Sequence, residues 1–110
     1  MTYHVHITAQ AETDLENIYR YIAFALHAPK NAAAQLARLE RSIYSLDQMP
    51  ERFRTYQTEP WHTRGLRIMP VDNFVVFYIP NPSSRTVQIV RVLYGRRDID
   101  AELSSSDSEQ

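Results

Sequence analysis

Apolar and polar positions alternate as the chain begins: across residues 3–7, Tyr3, Val5 and Ile7 share one face and His4 and His6 the other. That period of two predicts a short, half-buried strand. The period then lengthens. Ala11, Leu15, Ile18, Ile22 and Ala25 recur at steps of four and three, the stripe of an amphipathic helix, with Thr8 placed to cap it. Glu12, Asp14 and Glu16 fall in its early turns, where the helix dipole favours negative charge. Pro29 suits the first turn of a second helix, in which Leu36, Leu39, Ile43 and Leu46 form the stripe and after which Pro50 is the stop. Two helices joined by a few residues lie antiparallel, and their stripes need a surface to cover.

Three strands follow, predicted at 64–70, 73–79 and 86–94, linked by turn-forming stretches around Asp72 and at 80–85 into an antiparallel meander. The central one, from Phe74 to Ile79, is apolar on both faces. The helices cover one face, and so short a chain leaves the other lightly covered or reserved for a partner. In the last strand Arg91 is placed on the face of Val87, Ile89 and Leu93, with Val90, Val92 and Tyr94 opposite. An arginine there must reach the rim or pair with an acid, because burying it alone is costly. Gly95 reads as the stop, since glycine permits left-handed dihedrals. Residues 50–63 show no period and read as a loop. The segment from residue 100 is acidic and serine-rich, which predicts disorder. The expected fold is α+β: an N-terminal strand and an αα-hairpin packed on a mainly antiparallel sheet of about four strands. Residues 1–99 form the domain and 100–110 a disordered acidic tail.

Composition narrows the chemistry. The chain has 110 residues and no cysteine, so disulfides, thiolate metal sites and a cysteine nucleophile are excluded. It shows neither a long apolar span nor the opening of a signal peptide, and reads as soluble and cytoplasmic. The net charge of −1 conceals a block: residues 51–97 carry eight arginines, Arg52, Arg54, Arg64, Arg67, Arg85, Arg91, Arg96 and Arg97, against Glu51, Glu59 and Asp72. Guanidinium groups match phosphate and carboxylate geometry, which makes this block a candidate surface for an anionic partner; solvated arginines are the plainer reading.

His4 and His6 have the spacing of a metal pair but lack a third ligand, so no metal and no cofactor is expected. Glu59, His62 and Arg64 gather in one loop, where a carboxylate beside an arginine could serve as a general base on an RNA 2′-hydroxyl. Trp61 could stack on a base or seal the edge of a core.

The order of elements and certain motifs resemble the RelE/ParE superfamily of bacterial type II toxins. The motifs are ITAQAETDLENIYRYIA in the first helix, LDQMPERFR closing the second, GLRIMPVDNFVVFYI across two strands, and VQIVRVLYGRRD at the end. They span about residues 3–98. The resemblance implies a toxin of a type II toxin-antitoxin (plasmid stabilisation) system that arrests growth and is held as a hetero-oligomer by an acidic antitoxin. ParE-like members poison DNA gyrase; RelE-like members cut mRNA on the ribosome. Cleaving members commonly place an arginine before the aliphatic run of the central strand, where this chain has Asn73 and Phe74; several end the last strand on a histidine, where it has Tyr94, but ParE-like members often carry that histidine too, so the missing arginine counts for more. The reading adopted is therefore ParE-like gyrase poisoning, with two alternatives: a RelE-like endoribonuclease using Glu59, Tyr94 and Arg67, and a non-toxic interaction module. Arg64, Arg91, Arg96 and Arg97 are the candidate target or anion contacts. The antitoxin is expected on Phe74, Val76 and Tyr78, or on the opposite face with Val75 and Phe77, together with Arg67 and Arg91.

Overall fold

The computed structural model describes residues 2–96 and 98–108, the last four by backbone alone. Strand β1 (His4–Ile7) leads through Thr8 into helix α1 (Ala9–Arg20). Thr8 caps α1 as expected, its Oγ1 accepting from the Ala11 N–H at 3.2 Å, and it also donates to the Ile89 carbonyl at 2.7 Å. One threonine thus ends the helix and fastens it to the sheet. Beyond Arg20 the helix widens into a π turn, Tyr21–Ala25. The additional residue in that turn rotates the stripe. Ala23 is buried in place of Ile22 and Ala25, while Tyr21, Phe24 and Leu26 are exposed by 60%, 69% and 55%.

Helix α2 (Pro29–Tyr44) opens on Pro29 and buries Leu39 and Ile43 completely; Leu46 follows in a short 3₁₀ turn and is equally buried. After a loop come the four-residue helix α3 (Trp61–Arg64) and strands β2 (Arg67–Val71), β3 (Phe74–Asn81) and β4 (Thr86–Tyr94). Two of the residues assigned by sequence to the start of the second strand belong elsewhere: Arg64 ends α3 and Gly65, at φ +84°, adopts the left-handed C-cap that glycine provides. The sheet order is β1-β4-β3-β2, with β1 parallel to β4 and the other pairs antiparallel.

A β-bulge decides which way β4 faces. Phe77 pairs with Arg91 and Tyr78 with Ile89, leaving Val90 as the additional residue. Past the bulge the alternation shifts: Val92 joins Val87 and Ile89 beneath the helices, and Val90 and Leu93 face the opposite way. The strict alternation expected for this strand, which set Leu93 beside Val87, is corrected accordingly.

The second face of the sheet is covered by the chain itself. Trp61, Leu66, Phe77, Val90, Leu93 and Leu103 form a second core, separate from the larger one under α1 and α2. Leu103 comes from helix α4 (Ile99–Ser108), so 100–108 of the tail expected to be structureless are helical, while 109 and 110 lie outside the described residues. Its cause is local and legible: the Asp98 carboxylate accepts from the Ala101 N–H at 3.3 Å, and Ile99 and Leu103, four apart, share one face. Burying Leu103 contributes about 2 kcal/mol, enough to hold a serine-rich helix that would not form alone.

Gly95 also acts differently from expectation. Its φ is not left-handed; a Cβ there would stand 3.3 Å from the Asn73 carbonyl, to which the Gly95 N–H donates at 2.9 Å. The position requires close approach, not an unusual dihedral.

Candidate functional site

Where β1 ends, the upper half of β4 loses its neighbour strand, and residues of α1 and α2 stand over it. The result is a groove of about 1100 Å³ running from the hairpin tip to the start of β3, with Tyr21, Leu26, Phe74 and Tyr94 among its apolar walls. The π turn is what presents Tyr21 and Leu26 there. Phe74 and Tyr94, paired across β3 and β4, meet edge to face at 5.8 Å.

Two ion pairs bound the groove. At its floor the Arg91 guanidinium grips Asp14 of α1 through both oxygens, Nε to Oδ2 at 2.7 Å and Nη2 to Oδ1 at 2.9 Å. Both residues are only 7% exposed, and Oδ2 also accepts the Val92 N–H at 2.9 Å. At the mouth, Arg38 donates to Asp72 at 2.8 Å, and Gln35 donates to the same oxygen at 3.0 Å. Those two hydrogen bonds, Arg38 first, hold the Asp72 carboxyl below the usual carboxylate range. The pair joins α2 to the β2–β3 turn, in which Asp72 has a φ of +55°. Both groove arginines therefore face acids of this chain, while the carboxamides of Asn17, Asn31 and Asn73 line the remainder. This chemistry suits a largely uncharged peptide surface better than a phosphate chain.

The sequence places this architecture among known proteins. The family model described as ParE toxin of type II toxin-antitoxin system, parDE, matches residues 5–99. The chain belongs to the ParE toxin family.

Solved structures agree on the fold. A chromosomal ParDE toxin-antitoxin system from P. aeruginosa is 20% identical with a TM-score of 0.69, over 84% of this chain and 96% of that one. The RelBE2 toxin-antitoxin complex from Mycobacterium tuberculosis is 22% identical, with a TM-score of 0.61 over 86% of this chain and 99% of that one. A mutant of E. coli RelE in the free state is 11% identical, with a TM-score of 0.65 over 99% and 97%. A sequence comparison with curated proteins finds no match.

In this ParE-family toxin two of the residues named for RNA cleavage, Arg67 and Tyr94, lie apart. Arg67 lies opposite Tyr78 and Tyr94 opposite Phe74, four positions apart on β3, which separates them by about 13 Å along the strand. Arg67 is occupied structurally, Nη1 donating to the carbonyls of Glu51 and Phe53. Glu59, just before α3, is tied to it, its carboxylate accepting from the Thr63 N–H and hydroxyl. Tyr94 is the one candidate in the groove.

The antitoxin contacts expected on the central strand are corrected as well. Val76 and Tyr78 are fully buried under the helices, and Phe77 is fully buried in the second core. The Tyr78 hydroxyl donates to the Pro50 carbonyl at 2.6 Å, and burial pushes its phenol up to about 12. Of the set, only Phe74 opens onto the groove. Arg91, expected to contact target and antitoxin, holds Asp14; of the two outcomes the sequence allowed, reaching the rim or pairing with an acid, the structure takes the second.

Among the anion candidates, Arg64 sits over the Trp61 ring at 4.9 Å and Arg96 is exposed beyond Gly95, while Arg97 lies outside the described residues. Trp61 is 3% exposed and seals the second core. His4 and His6 are exposed on the edge strand, and among the described residues no group of three His, Asp or Glu could hold a metal. Nor, among them, is any helix long and apolar enough to cross a membrane.

Sequence reasoning missed Asp14, Gln35, Arg38 and Asp72. For Asp14 a signal existed: it lies inside the apolar stripe between Ala11 and Leu15, where an unpaired acid would be costly.

Proposed function

We propose that this toxin arrests growth by poisoning DNA gyrase in the cytoplasm without cutting RNA, and that a cognate antitoxin silences it. The observation that carries the reading is the separation of Arg67 from Tyr94 together with the commitment of Glu59 and Arg67 to other partners. Phosphoryl transfer needs cations and a base fixed around one reacting phosphate, and two of these three are committed to hydrogen bonds within the chain. The ParE family match supports the same choice. The antitoxin belongs in the groove, where Tyr21, Leu26 and Phe74 offer an apolar strip to an amphipathic helix. Complexes of toxins sharing this fold with their antitoxins, ParDE and RelBE2, support the existence of such a partner.

Inducing the chain alone in bacteria tests this. Growth should stop with DNA breakage and intact mRNA, and co-expression of the antitoxin should restore it. Prompt mRNA cleavage would instead select the ribosome-dependent reading. Unimpaired growth from an intact gene would leave only an inert interaction module.

A further inference from the structure

We propose that α4 is a strap whose docking on one face of the sheet is coupled, through Arg91, to the wall of the groove on the other side. Arg91 stands on the β4 bulge, past the end of β1, so its side chain faces both α1 and α4. Nε and Nη2 hold Asp14, Nη1 donates to the Glu102 carbonyl at 3.1 Å, and the Glu102 carboxylate stands 3.8 Å from Nη2. Asp14, Arg91 and Glu102 all line the groove. Further holds on the strap include Ile99 and Leu103 against the second core and Asp100 on the Tyr56 hydroxyl.

When α4 undocks, Arg91 loses the Glu102 carbonyl, the groove loses Glu102, and a less firmly held Arg91 loosens the Asp14 carboxylate that fixes the Val92 N–H. Binding couplings are reciprocal, so a segment seated in the groove favours the docked strap. The strap also positions an arginine. Arg96 lies in the linker between Gly95, tied to Asn73, and the Arg91–Glu102 contact, so docking of α4 determines how Arg96 is presented beside Tyr94. Arg91 is thus a positioning residue for the strap, independent of whether the target is gyrase.

Hydrogen exchange on the full chain, read by NMR, tests the coupling. Arg91→Lys keeps a charge beside Asp14 but loses the fork, so the amides of residues 102–104 should exchange about tenfold faster or more, with a smaller change in the β2–β3 ladder. Leu103→Ala loosens the strap from its other end and should speed the Val92 amide across the sheet, again beyond any change in β2–β3. An unchanged Val92 rate in Leu103→Ala overturns the coupling. So does a uniform rise at all three places in both variants, which would make Arg91 and Leu103 contributors to global stability alone.

Discussion

Asp14→Asn removes the carboxylate that Arg91 grips through both oxygens and leaves a guanidinium that is 7% exposed facing the more distant Glu102 carboxylate, 3.8 Å from Nη2. Breaking a buried pair by removing one partner costs about 3–5 kcal/mol when the remaining charge is left uncompensated, and the Glu102 carboxylate places this variant at the lower end, about 3 kcal/mol. A domain of this length has about 5–15 kcal/mol in total, so the loss is a large fraction of it and lowers Tm by about 12 °C. The double variant Asp14→Leu with Arg91→Met removes both charges and keeps the volume. It should cost less than the sum of Asp14→Leu and Arg91→Met alone, the residue being about 1–3 kcal/mol for the orphaned Val92 N–H. Urea unfolding at neutral pH, followed by the fluorescence of Trp61, measures all of these on one probe, since that sole tryptophan is buried in the second core. A single-variant loss under about 1 kcal/mol, or a double variant equal to the sum of its parts, refutes the reasoning.

Other consequences follow from the same geometry. Burial raises the Tyr78 phenol from 10.0 to about 12, so its neutral form supports the fold fully below pH 10, and that support is lost as pH rises toward 12; Tyr78→Phe should flatten the alkaline limb of the stability curve while costing about 1 kcal/mol at neutral pH for the lost bond to Pro50. Asp72 has the opposite sign: its lowered carboxyl stabilises the fold above pH 3.8, and the contribution disappears as pH falls below that, so Asp72→Asn should narrow the Tm difference between pH 5 and pH 3. Tyr21→Ser with Leu26→Ser alters exposed side chains and should change stability by under about 1 kcal/mol in circular-dichroism melts. The same pair should weaken antitoxin binding at least about tenfold by calorimetry, and unchanged affinity would remove the antitoxin from the groove.

The fold was legible where one period governed a whole element. The stripes of α1 and α2, the Thr8 cap and the Pro29 start each follow from local spacing, and the structure keeps them. Readings went astray where one residue changed the phase. The π turn moved the burial to Ala23 and freed Tyr21 and Leu26, and the β4 bulge carried Val92 to the helix side. Neither insertion marks the sequence, because both answer to tertiary packing. The tail was misread through its composition: serine and acid outweigh Ile99 and Leu103 in any average, yet those two suffice once an apolar sheet face lies within reach. The groove was the least legible feature, since Tyr21, Phe74 and Tyr94 meet only after four elements have packed.

The most direct test of the central reading uses purified toxin, DNA gyrase, ATP and plasmid DNA, with a translating extract run in parallel. Gyrase should accumulate cleaved DNA complexes, antitoxin should abolish them, and Glu59→Ala should leave them undiminished while mRNA in the extract stays intact. Ribosome-dependent mRNA cleavage that is lost in Glu59→Ala or Tyr94→Phe, with no effect on gyrase, would contradict the account.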